Sequence, residues 1–123
     1  MSTTELSPVS EEGLRPIAQL CDGEVSFKVD GWRHLISMQS LRFYANGIEH
    51  TMDALLCLNH NNPTYPTKLY LAAAVGGGLN WNETAYILGR SWSTFSWRDV
   101  SPNQRPIEIL AAHLAPLNGG KAA

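Results

Sequence analysis

Two cysteines, four histidines and a scatter of serines are the side chains through which this 123-residue chain could do covalent or metal chemistry. Cys57 leads, because a thiolate is the strongest nucleophile among these groups. It stands between Leu56 and Leu58, and alternation places it with Asp53, Leu55 and Asn59. Met52, Ala54, Leu56 and Leu58 fall on the other side. A small buried hydrophobe is the competing reading of Cys57. Cys21 lies beside Asp22, whose charge raises a thiol pKa rather than lowering it. His34, His50, His60 and His113 show no metal-ligand spacing, so no metal site is expected. Cys57 and His60, three apart on a strand, point to opposite faces. His113 is offset from the apolar stripe around it and reads as solvated. Ser91, Ser93 and Ser96 lack a nucleophile-elbow context. The acidic residues show no pairing suited to hydrolysis.

Two further stretches invite a binding reading. Gly76-Gly77-Gly78 is not followed by the Lys-Ser/Thr and helix of a phosphate loop, so no nucleotide cofactor is implied. Trp92, Phe95 and Trp97, flanked by Arg90 and Arg98, could be a partner-binding platform or a stacking surface for single-stranded nucleic acid. They could equally fill the space between a sheet and a helix. The formal charge of −2 and a pI near 6.0 leave no electrostatic footprint for nucleic acid.

The elements that position these residues can be read from periodicity. Residues 1–13 are Ser/Thr/Glu-rich and are expected to be a disordered tail. Leu14 to Leu20 suits a short helix, with Pro16 in its first turn. Glu24 to Val29 alternates as a strand. Asp30-Gly31 turns it into a second, Trp32 to Tyr44, whose mixed parity calls for a bulge or for burial of both faces. Asn46-Gly47 leads to a third strand, Ile48 to His60. After the polar turn around Pro63-Thr64-Tyr65-Pro66 comes a fourth, Thr67 to Ala74. Thr84 to Leu88 is a short strand or extended segment. Ser101 or Asn103 caps a last helix from near Gln104, with Ile107, Leu110, Ala111, Leu114 and Leu117 as its apolar stripe. Residues 118–123 are a second tail. The expected fold is α+β, in one domain over 14–117. It is a four-stranded antiparallel meander with a C-terminal helix packed on one face and a short N-terminal helix.

Composition narrows the class further. At 44% hydrophobic and 16% charged the chain is an ordinary globular sequence. Its polar, acidic N-terminus is unlike a secretory signal, and no apolar run reaches a membrane span. With two cysteines only, a reducing cytoplasm is the expected home.

The run Ala54 to Pro66, ALLCLNHNNPTYP, followed by strand Lys68 to Leu71, resembles the third strand, Tyr-Pro turn and fourth strand of ubiquitin-conjugating (E2) enzymes. Gly78-Leu79-Asn80, Trp92 and the final helix follow in that family's order. The whole is also similar to divergent prokaryotic E2-like proteins that end in a Trp-rich segment and one helix. The resemblance spans Val25 to Leu117 and makes Tyr65, Pro66 and Asn80 the fold-defining positions. Three departures stand out. Thr67-Lys68 replaces the second proline of the turn, the family's His-Pro-Asn tripeptide is reduced to Leu79-Asn80 with Asn80 or Asn82 as its asparagine, and Ala72 to Arg98 contains no cysteine where the family's catalytic thiol belongs. The resemblance therefore implies a non-catalytic E2 variant without cofactors, partnered by a ubiquitin-like protein or an E1-like protein. An active enzyme that relocates the thioester to Cys57 is the alternative. A small structural subunit docking through its tryptophans is a third reading.

Overall fold

The computed structural model of the chain describes residues 10–60, 64–76, 81, 83–95 and 97–118. Helix α1 covers Glu11–Ala18 and begins inside the segment expected to be a tail. Its start is set locally: the Ser10 hydroxyl accepts from the Gly13 N–H at 3.0 Å, and Glu11 and Glu12 sit at the positive end. Pro16 lies past the first turn, so one intrahelical hydrogen bond is missing and the helix soon ends.

Six strands follow: β1 Val25–Asp30, β2 Arg33–Ala45, β3 Ile48–Cys57, β4 Lys68–Leu71, β5 Glu83–Ile87 and β6 Arg90–Thr94. Helix α2, Pro106–Leu114, and a 3-10 turn, Ala115–Asn118, complete the described chain. All pairings are antiparallel, in the order β1-β2-β3-β4-β6-β5. The expected four-stranded meander with a single covering helix is thus corrected. The meander runs from β1 to β4, and a further hairpin, β5–β6, extends it to six strands under two short helices.

The missed hairpin has a physical cause. Its two-residue turn is Leu88-Gly89, with φ of 53° and 83°, the backbone of a type I′ turn. Leucine seldom occupies a left-handed conformation, so the dipeptide carries no turn signal. Asn46-Gly47 adopts the same geometry with the usual residues, φ 55° and 76°.

The mixed parity of β2 resolves as a bulge. Met38 pairs with Ala54 and Leu41 with Met52, so Gln39 and Ser40 together oppose Asp53. Ser40 has φ 55°, and Asp53 Oδ1 accepts its N–H at 2.9 Å. The extra residue returns Leu41, Phe43 and Ala45 to the face that holds Ile36 and Met38. Beside the bulge, Gly23 runs so close to β2 that a Cβ there would lie 2.6 Å from Gln39 Cβ.

The sheet is buried on both faces. On the first, Ile36, Met38, Leu41, Phe43, Ala54, Leu56, Leu69 and Leu71 pack under Ile17 of α1 and Ile109 and Leu110 of α2. The second face holds a smaller core of Leu35, Leu55, Cys57, Tyr70, Ile87 and Trp92, with no helix over it among the described residues. Coiling of the sheet covers it. One cross-strand row runs Val25, Met38, Ala54, Leu71, Ser93, Thr84. Asp30 lies above that row at one edge, and Leu88 below it at the other. They are diagonal corners, yet the Leu88 N–H donates to Asp30 Oδ2 at 2.7 Å. The right-handed twist of the sheet brings these corners together over the second face. Arg90 Nη1 reaches Asp53 Oδ2 at 3.0 Å and ties the folded-over hairpin to β3.

Candidate functional site

The Tyr65-Pro66 turn joins the end of β3 to β4 and is held from three directions. The His60 N–H donates to Pro66 O at 3.1 Å, and His60 Nδ1 lies 2.8 Å from Tyr65 O. A carbonyl only accepts, so this imidazole carries its proton on Nδ1. The Asp99 N–H donates to Thr64 O at 2.9 Å. Next along the chain, the fully buried Thr67 hydroxyl donates to Val100 O at 2.9 Å and lies 2.9 Å from His113 Nε2. With its single proton committed to Val100, Thr67 must accept from His113 Nε2–H.

His113 is therefore not the solvated residue expected from its place off the apolar stripe. It is 1% exposed. Burial, with a smaller contribution from Lys68, holds the imidazole down at about 4, so it is neutral near pH 7. Ile109, His113 and Leu117 recur every fourth residue, and all three are buried. That face was legible only to a reading that let a histidine belong to it.

Cys57 does not lie at an accessible surface. It is fully buried in the second core, and burial pushes its thiol pKa up, against smaller opposing effects of Asn59 and Arg33. Its Sγ is 3.6 Å from Asn59 Oδ1. Asn59 is itself occupied, accepting from the His34 N–H and donating to Trp32 O, each at 2.8 Å. The catalytic assignment of Cys57 thus meets a protonated thiol with no approach for a protein carboxyl terminus. Cys21, half-buried, is pushed up to about 11 by burial, which outweighs the lowering effect of Arg42. Neither sulfur has the electropositive, exposed setting of a reactive cysteine.

The aromatic trio expected to bind a partner is divided. Trp92 belongs to the second core, with its Nε1–H on Ile87 O at 2.9 Å and the Arg90 guanidinium 4.4 Å over its ring. Phe95 lies in the first core, 4.9 Å from Trp81 and 6.5 Å from His113 between ring centroids. Trp97 is half-buried against that same core. The odd spacing of 92 and 95 sends the two rings to opposite faces of the sheet. They fill space; they are not a platform. Asn80, with Gly78 and Leu79, lies outside the described residues.

The exposed large apolar groups are elsewhere. Trp32 is 52% exposed and Tyr86 71%, with Val29 and Leu88 also open to solvent. The Leu88 N–H is hydrogen-bonded to Asp30, which places Leu88 beside the β1–β2 turn that carries Trp32. One signal could have found Trp32: it follows Gly31 in a two-residue hairpin turn, where a large ring cannot be buried by its own sheet. Among the described residues no three His, Cys, Asp or Glu side chains gather to hold a metal ion. No described helix is long and apolar enough to cross a membrane. No family model matches the chain, and neither a curated protein nor a solved structure matches it.

Proposed function

We propose that the chain is a non-catalytic E2 variant, binding a ubiquitin-like protein or an E1-type partner of a prokaryotic conjugation system in the cytoplasm. One observation carries the non-catalytic half. The segment after the Tyr65-Pro66 turn, Ala72 to Arg98, has no cysteine, and the thiol before it, Cys57, is sealed in the second core with a raised pKa. A thioester needs a thiolate that a carboxyl terminus can reach, and no other side chain forms one. The binding half is supported by the Tyr65-Pro66 turn between β3 and β4, anchored to residues 99–100 and to α2, and by the exposed Val29, Trp32 and Leu88. Aromatic groups left in solvent on a rigid scaffold are typical interface anchors.

The test is a titration of the purified chain with ubiquitin-like and E1-type proteins encoded beside it, followed by incubation with E1, ATP and the ubiquitin-like protein. Saturable binding without a reductant-sensitive adduct is the expected result. Failure to bind any of them would sink the reading. An adduct lost in Cys57→Ala would overturn its non-catalytic half and restore Cys57 as a nucleophile.

A further inference from the structure

We propose that the free edge of β1 pairs with the same strand of a second copy, joining two sheets across a two-fold axis into a dimer. This interface is independent of the ubiquitin-like reading above. β1 lies at one end of the strand order. Its hairpin with β2 turns through Gly31-Trp32, so Asp30 and Arg33 close the ladder. In such a ladder the even-numbered residues of β1 aim their N–H and C=O at β2, and the odd-numbered ones aim away. Two bonds fix that parity. The Gln39 N–H donates to Glu24 O at 3.0 Å. His34, opposite Val29, accepts at its carbonyl from the Leu58 N–H just past β3, at 2.9 Å. The backbone polar groups of Val25, Phe27 and Val29 therefore point out from the sheet, and among the described residues nothing hydrogen-bonds to them.

Natural edge strands are blunted by proline, by a bulge or by charge. Val25–Asp30 has no proline and pairs residue for residue with β2. Its mid-strand charge, Lys28, selects a register instead of closing the edge. An antiparallel copy satisfies all three outward residues only when Phe27 faces the partner's Phe27. Val25 then faces the partner's Val29, and Lys28 faces the partner's Ser26. Moving the axis to Lys28 would set two ammonium groups against each other. At each end of the preferred register Glu24 faces the partner's Asp30. Two cations offset these carboxylates: the partner's Lys28, on the same face, and the partner's Arg33, which is the cross-strand neighbour of that aspartate.

The apolar side of the seam is also self-complementary. Val25 and Phe27 already pack against the first core, so alternation puts Val29 on that face too. The pairing makes an aromatic pair at the axis with a valine pair on either side. Val29, 55% exposed in the single chain, gains cover. Its place opposite Val25 matters, because Val25 lines an open groove of about 230 Å³ along α1 with Glu11, Leu14, Arg15 and Ala18. The partner's Val29 stands beside that groove and brings apolar surface toward Leu14 and Ala18.

The test is sedimentation equilibrium of the purified full chain from about 1 µM to about 1 mM, because a one-strand interface belongs to the small, weak class. Amide exchange by NMR accompanies it in the upper part of that range. The weight-average mass should rise from 13.5 kDa toward twice that value. The Phe27 and Val29 N–H groups should gain protection in step, while those of Thr84 and Tyr86 on the opposite edge should not. Val29→Pro removes an outward donor without touching the ladder to β2, and Val29→Lys carries a charge into the apolar seam. Each should weaken the dimer about tenfold or more. The proposal is overturned if the chain stays monomeric, if its mass rises without protection of Phe27 and Val29, or if both variants dimerise as the wild type does. Protection that appears only when a ubiquitin-like protein is added to a monomeric chain would also overturn it, and would give this edge to that partner. Should Val29→Pro fail to fold, Val29→Lys and the wild-type exchange pattern still decide.

Discussion

His113 shows how one side chain can belong to a core and still be polar. Its Nε2–H reaches Thr67, Thr67 reaches Val100, and Phe95 stands edge-on to the ring. The imidazole is stable there only while neutral. In the unfolded chain it titrates at the ordinary 6.5, in the fold at about 4, so the unfolded state binds the extra proton between these values. Stability is therefore full above pH 6.5 and falls as the pH drops toward 4. The gap amounts to about 3 kcal/mol from this group. Urea denaturation at a series of pH values should show that loss in the wild type and a flatter curve between pH 6.5 and 4 in His113→Gln. Parallel curves would mean that His113 is not the group responsible. The neighbouring cation is Lys68, whose charge works in the same direction. By contrast, the Arg105–Glu108 pair at the start of α2 is solvent-exposed and adds little to the curve.

At the scale of elements, the β5–β6 hairpin decides the architecture. Its strands are short, and its turn is built on a leucine held at φ 53°. The same position also donates its backbone N–H to Asp30, so the turn does two jobs: it reverses the chain and joins two sheet corners. A residue at ease in the left-handed region should do the first better without disturbing the second. Leu88→Asn is expected to raise stability by about 1 kcal/mol, read as a higher urea midpoint at unchanged slope. A lower midpoint would show that the partly exposed leucine side chain packs at the corner by more than its backbone strain loses. The hairpin at Asn46-Gly47 was legible because its residues announce it, whereas the first turn is Gly31-Trp32, one residue later than the expected Asp30-Gly31, since Asp30 still pairs with Arg33. A bulge in β2 was one of the two readings its mixed parity allowed, since Ile36 and Met38 are out of phase with Leu41 and Phe43, but neither its place at Ser40 nor its brace from Asp53 was legible, because both are set by contacts between strands.

For the molecule as a whole, the two cores are covered by different means. Helices cover the first, while the coiling of the sheet covers the second. Such a cover opens only when the hairpin lifts away from β3 and β1, breaking the Arg90–Asp53 and Leu88–Asp30 contacts. Cys57 is a probe of that event, since it is fully buried beneath the hairpin. In a Cys21→Ser background, thiol labelling of Cys57 should be slow and should accelerate with urea as steeply as global unfolding does. Rapid labelling with little urea dependence would show that the second core opens on its own. That outcome would also reopen the question of whether its thiol can be reached by a partner.

Local patterns determined a good deal of this protein. Alternation alone assigned Asp53, Leu55 and Cys57 to one face and Ala54 and Leu56 to the other, and Pro63 and Pro66 marked the polar turn before β4. The last helix was evident from Pro106, Glu108 and the apolar residues beyond them. Tertiary structure decided what those faces meet. Whether Cys57 is a nucleophile or a buried hydrophobe, and whether Trp92 is a platform or a core ring, depends on how far the sheet coils. That coiling is set by contacts between residues as distant as Asp30 and Leu88, which no local period encodes. His113 is neutral and buried for the same reason, because its environment is assembled from Thr67, Phe95 and Val100 on separate segments.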